Sequence, residues 1–220
     1  HVVVLPYHSP FDVAKQYATL DRLSGGRVIL GVGVGHLRGE FRALRAPYEE
    51  RGAVTDEYIR IIKTLWSDDP ATFEGDYYQF RNLHLAPRPV QQPHPPVWVG
   101  GNSRRAVRRA VELGDGWIPF QVTEEELRDR LEYARSLPAY GQRAAPLDVA
   151  LPAGPVEIKG KPVDGERARL VGSGEQVRDD VRVYQQLGVT GMTAGFRAGS
   201  LDEQLEQMER FAREVMPAFA

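Results

Sequence analysis

Arg27-Val28-Ile29-Leu30-Gly31-Val32-Gly33-Val34-Gly35 is the stretch that decides the fold. Beyond Arg27 it is apolar without polar alternation, so it predicts a strand covered on both faces, as in the parallel sheet of an α/β protein. Upstream, Val2-Val3-Val4-Leu5 is a β-branched run that stops at Pro6 and predicts a second buried strand. Between the two, Ser9-Pro10 supplies a helix N-cap with proline at the first position, and Phe11, Ala14, Tyr17, Ala18 and Leu20 recur at helical spacing until Ser24-Gly25-Gly26.

The alternation continues downstream. Helical spacing predicts a helix over residues 55–66, with Ile59, Ile62 and Leu65 on one face. Residues 72–96 break the rhythm with short strand-like pieces around a Gly75-Asp76 turn, and are read as an insertion. Strands are then predicted at 96–101, 116–120, 147–151 and 191–196, and helices at 102–113, 123–137, 173–187 and 200–219, with a loop from 152 to 172. About six strands, each followed by a helix, imply one α/β domain over residues 1–220. A doubly wound sheet and a (β/α)8 TIM barrel both fit that order; eight barrel units take about 250 residues.

Composition narrows the function classes. The 220 residues are 42% hydrophobic and 26% charged, with a net charge of −2, which gives no electrostatic reason to expect nucleic acid or an anionic membrane as partner. Cysteine is absent, which removes disulfides, thiolate catalysis and Cys-based metal sites. No apolar run reaches the roughly 18 residues of a transmembrane helix, and no signal peptide is visible, so a cytoplasmic protein is expected. The histidines, at 1, 8, 36, 84 and 94, include no pair at i, i+4, so no metal is expected.

Several motifs fail as phosphate or nucleophile signatures. The glycine strand lacks the Gly-Lys-Ser/Thr ending of a Walker loop, and His36 stands where a dinucleotide fingerprint needs its third glycine. Gly-x-Ser-x-Gly does not occur. The strand's glycines can serve close packing, or can let a flat ring lie against the backbone at Gly33 and Gly35. Val99-Gly100-Gly101-Asn102-Ser103 leads from a strand into a helix, where outward-facing backbone N–H groups suit a phosphate or similar anion. His8 and His36 lie just beyond strand C-terminal ends, where α/β enzymes keep their chemistry, and are weak catalytic candidates. Asp115-Gly116-Trp117 reads as a turn with a core tryptophan, and the remaining carboxylates as caps and solvated helix faces.

Taken in order, these segments resemble the luciferase-like monooxygenase superfamily, most closely its coenzyme F420-dependent oxidoreductase branch. The residues that carry the likeness are Leu20-Asp21-Arg22-Leu23-Ser24-Gly25-Gly26-Arg27, the strand Leu30 to Gly35, and Arg51 with Asp56-Glu57-Tyr58. Further on they are Pro87-Arg88-Pro89-Val90-Gln91, Pro95-Pro96-Val97-Trp98-Val99-Gly100-Gly101 and Gly114-Asp115-Gly116-Trp117. The resemblance implies a (β/α)8 TIM barrel of the luciferase type, represented here by about six units plus the insertion. Family members begin with two or so further βα units, so an incomplete barrel is expected.

The same resemblance implies hydride transfer between coenzyme F420 and a small organic substrate, by an enzyme that acts as a homodimer. The alternatives are an FMN-dependent monooxygenase and a non-catalytic barrel that binds flavin. A non-prolyl cis peptide behind the deazaflavin ring would map onto Val2 and Val3. Ring or side-chain contacts would map onto Val34, Gly35 and His36, and the cofactor phosphate onto Val99, Gly100, Gly101, Asn102 and Ser103.

Overall fold

The computed structural model describes residues 2–219. The chain divides into two compact units, residues 1–118 with 132–147, and residues 119–131 with 148–220.

In the first unit, β1 (Val3–Val4), α1 (Pro10–Ser24), β2 (Leu30–Gly33), α2 (Arg38–Leu44), α3 (Arg51–Ser67), the hairpin β3 (Ala71–Glu74) and β4 (Gln79–Leu83), β5 (Val97–Gly100), α4 (Arg104–Glu112) and β6 (Gly116–Ile118) follow one another. Strands β1, β2, β5 and β6 lie side by side and parallel, with Val3 opposite Val32, Val32 opposite Val99, and Val99 opposite Trp117. Because directly paired residues share a face, Leu30, Val32, Val97, Val99 and Trp117 form one layer, and all of them are buried. The opposite face carries Val4, Gly31, Gly33, Trp98, Gly100, Gly116 and Ile118. The unbroken apolar run of the sequence therefore separates into a bulky face and a glycine-rich one.

Three of the motifs that carry the resemblance prove to be struts. Asp21, fully buried at the end of α1, accepts hydrogen bonds from the amides of Val90 (2.7 Å) and Gln91 (2.9 Å) and from the Gln91 side chain (2.7 Å). Burial pushes the Asp21 carboxyl up, but those donors outweigh it and hold it below the usual range. Asp115 accepts from the Val97 amide at 2.8 Å and pairs with Lys63 at 3.1 Å, clamping the start of β5 to α3. Glu57 accepts from the amides of Asp76, Tyr77 and Tyr78 and so caps the hairpin turn of the insertion.

The second unit holds β7 (Asp148–Ile158), β8 (Val171–Gly172), α6 (Gly174–Leu187), β9 (Gly191–Phe196) and α7 (Leu201–Glu214). Strand β7 pairs in parallel with β9 along its first part and with β8 at its end. Buried Asp180 of α6 is held by Arg167, Arg169 and the Leu170 amide. Helix α5 (Glu124–Ser136) has residues in both units.

Several boundaries differ from expectation. Strand β1 is only two residues long, because Leu5-Pro6-Tyr7 closes into a 3-10 turn. Helix α3 starts at Arg51, a turn before the periodic apolar residues begin. Strand β7 runs through Pro152, Gly154 and Pro155, residues that signal a loop; a register shift between Ala153 and Val156 absorbs them. The last helix ends at Glu214, and a 3-10 turn follows.

Candidate functional site

The candidate site lies in the first unit, at the start of β1 and the C-terminal ends of β2 and β5. Val2 is its platform. A methyl group built on Gly33 would stand 3.1 Å from Val2 Cγ2, and one on Gly100 would stand 2.8 Å from Val2 Cγ1. Glycine at both positions thus leaves the hollow that Val2 occupies, and the valine still exposes 42% of its surface. The reading in which a ring lies directly on the backbone at Gly33 is corrected, because the space over that glycine belongs to Val2. Gly35 serves packing as well: at φ 74° its added methyl would stand 2.7 Å from Val4 and 2.8 Å from Phe41.

The cis-peptide expectation fails. Among the described residues every cis peptide precedes proline, and Val3 and Val4 pair with Val32 and Gly33 in regular parallel register.

The anion turn is partly committed to the fold. The Gly101 amide donates to the Ile118 carbonyl at 3.2 Å, and the Gly101 carbonyl accepts from the Trp117 indole at 2.7 Å. Ser103 caps α4 by accepting from the Ala106 amide at 3.2 Å. Gly101 therefore offers an anion no amide, and the start of α4 at Ser103 is the part of the turn that fits one. Gly100 borders Val2, Asn102 links the two, and Val99 points the other way, 1% exposed against Gly114.

His8 and His36 are both exposed. The His8 amide donates to Leu5, and the His36 carbonyl accepts from the Tyr48 hydroxyl at 3.5 Å. Val34 lies half-buried beside Gly35. Among the described residues no group of three or more His, Cys, Asp or Glu gathers as a metal would need.

The sequence reading missed an aromatic and polar cluster next to Gly35. Phe41 of α2, 1% exposed, meets Tyr7 edge-on at 4.7 Å and Tyr48 at 5.1 Å. Arg38 and Arg51 each stack on Tyr48, at 4.2 and 4.1 Å from its ring centre. The Tyr7 hydroxyl donates to Glu40 at 2.9 Å. The signal was present in the chain, but α2 has seven residues with Gly39 inside, too short and interrupted for periodicity to show.

These residues fit the ring of a flavin or deazaflavin. The glycines keep a Cβ out of the hollow, Val2 turns it into an apolar platform, and deeper on the same face the Trp98 indole N–H is buried without a partner among the described residues. The anionic end of such a group fits at the start of α4.

The luciferase-like monooxygenase family model matches residues 1–158. An FMNH(2)-dependent dimethylsulfone monooxygenase of Pseudomonas putida is 35% identical over 144 residues, 64% of this chain and 40% of that protein's length. The protein of the same description from Pseudomonas fluorescens is 29% identical over 259 residues, 94% of this chain and 69% of its own. Among solved structures, monooxygenase RslO1 from Streptomyces bottropensis has a TM-score of 0.82 at 22% identity, covering 100% of this chain and 77% of that one. The coenzyme F420-dependent tetrahydromethanopterin reductase of Methanopyrus kandleri has a TM-score of 0.75 at 17% identity, covering 97% and 80%. The parallel α/β fold is that of the luciferase-type barrels, and the chain belongs to the luciferase-like monooxygenase family.

Proposed function

We propose that this protein is a flavin- or deazaflavin-dependent oxidoreductase that passes hydride between coenzyme F420 and a small organic substrate. The observation that carries the reading is the Val2 platform seated over Gly33 and Gly100. When bound, the cofactor supplies the redox chemistry, and the protein supplies position and a dry environment. Val2 and Val4 keep water from one side of the ring, Val34, Gly35 and His36 border it, and Asn102 and Ser103 receive its anionic end. FMN with monooxygenase chemistry is the second reading, favoured by the two FMNH(2)-dependent relatives. The family resemblance also carries the proposal of a cytoplasmic homodimer, tested by equilibrium sedimentation and by fractionation.

A fluorescence titration with F420, FMN and riboflavin tests the reading. F420 binding on the order of micromolar, tighter than FMN, is expected. Preference for FMN moves the function to the second reading, and binding of none overturns both. Gly101→Asp is a poor probe of the anion site, because φ 124° strains any side chain there. Ser103→Asp is clean, since aspartate caps a helix as well as serine does. It is expected to weaken F420 and FMN by about tenfold or more through charge repulsion and to leave phosphate-free riboflavin unchanged. Equal weakening of all three would remove the anion from this turn.

A further inference from the structure

We propose that Met192, Met208 and Met216 form a reversible oxidation site in the second unit. Hydrogen peroxide converts their thioethers to sulfoxides there and loosens α7. The inference stands apart from the oxidoreductase reading, since no cofactor enters it. It begins with a count. The chain has three methionines and no cysteine, so these thioethers are its only sulfur atoms. All three line one groove between β9, α6 and α7, together with Phe196, Phe211 and Phe219. Thioethers in a groove of this kind contribute to packing through soft contacts with aromatic rings, and they are the groups that peroxide attacks.

Exposure orders them. Met208 leaves 47% of its surface open and Met216 leaves 55%, whereas Met192 is half-buried against the cluster of Val156, Val181 and Val215. The helix that carries Met208 is loosely held, for no residue of α7 is buried. The Gln207 side chain ties it to β7, accepting from the Ile158 amide at 2.6 Å and donating to the Ile158 carbonyl at 3.2 Å. Phe211 meets Phe196 edge-on at 5.6 Å, and the Glu214 carbonyl accepts from Arg178. Apolar contact along the groove is therefore a large share of what keeps α7 in place.

The chemistry balances with peroxide as the single co-reactant. A thioether sulfur attacks one peroxide oxygen, an S–O bond forms as the O–O bond breaks, and sulfur loses two electrons. The other oxygen leaves as hydroxide, takes the proton from the new S–OH group and departs as water. The sulfoxide oxygen is a strong acceptor that prefers water to an apolar wall, so it works against packing on β9. A sulfoxide reductase reverses the step, as two thiols become a disulfide and the oxygen leaves as water.

The test treats the folded protein with dilute hydrogen peroxide and follows intact mass, peptide mass and amide hydrogen exchange. Met208 and Met216 should each gain one oxygen first, and Met192 should follow about fivefold or more slowly. Once the first two are oxidised, amides of residues 201–214 should exchange at least about tenfold faster, while those of β2 and β5 keep their protection. Methionine sulfoxide reductase with dithiothreitol should restore mass and protection together. Met208→Leu combined with Met216→Leu should hold the protection of α7 through the same treatment. Met208→Gln combined with Met216→Gln sets a polar amide in place of each thioether and should loosen α7 without peroxide. Equal oxidation rates at the three positions overturn the proposal. So does an α7 whose exchange is the same before and after the first two oxidations, or a loosening by peroxide that the leucine pair does not prevent.

Discussion

Gly35 and Gly100 look alike in the sequence, yet the structure uses them differently, and the difference is measurable. At Gly100 an added methyl is crowded by the end of the Val2 side chain at 2.8 Å, which can turn away, and lies in ordinary contact with the Val32 carbonyl oxygen at 3.5 Å. At Gly35 it meets Val4 and the buried ring of Phe41, with the backbone already at φ 74°. Gly35→Ala should therefore cost about 2–3 kcal/mol, from left-handed backbone strain plus overpacking. Gly100→Ala should cost under about 1 kcal/mol, because only Val2 has to move, but it should lower cofactor affinity by several-fold as the platform shifts. Urea denaturation of both variants beside cofactor titration checks the pair. Equal stability losses would mean that the platform is as rigid as the turn, and unchanged affinity in Gly100→Ala would remove Val2 from the site.

At the scale of elements, the insertion depends on one carboxylate. Glu57 of α3 takes three consecutive turn amides, Asp76 to Tyr78, while Phe11 and Tyr58 pack edge-on against the hairpin's Tyr78. Glu57→Gln keeps the shape and removes the charge, so those amides lose charge-assisted bonds worth roughly 1.5–3 kcal/mol each in favourable settings. Amide hydrogen exchange at residues 76–78 should speed by at least about tenfold, while the amides of β2 and β5 keep their protection. Uniform acceleration would make Glu57 a strut of the whole first unit. The order of elements was legible in the sequence because caps, glycine stops and β-branched runs act locally, as at Ser9-Pro10 and Gly25-Gly26. The site was legible only in part. Gly100 and Ser103 stand out as a strand-to-helix turn, but the commitment of the Gly101 amide to Ile118 depends on β5 and β6 lying side by side, which no local pattern encodes. The Tyr7–Glu40 bond spans 33 positions and was invisible for the same reason.

At the scale of the molecule, each compact unit contains one fully buried aspartate whose charge the fold has been built around. In the first it is Asp21, and in the second Asp180. For Asp180 burial pushes the carboxyl up, but Arg167, the Leu170 amide and Arg169 outweigh it and hold it below the usual range. A carboxyl held lower in the folded than in the unfolded state stabilises the fold in full above the ordinary carboxylate range, near about pH 4. That contribution fades as pH falls toward the folded value and is gone below it, because the unfolded state then binds the proton first. Both units should therefore lose stability between about pH 5 and pH 2, each by about 1.4 kcal/mol for every pH unit by which its aspartate is depressed. Asp21→Asn and Asp180→Asn should each be less stable than wild type at pH 7 and should each show a flatter dependence on acid. The measurement is the urea midpoint at a series of pH values, followed by probes within each unit, Trp66 for the first and Tyr184 for the second. An acid dependence left unchanged in the Asp21→Asn variant would mean that its hydrogen bonds from Val90 and Gln91 survive protonation. The charge at the end of α1 would then be incidental to the strut.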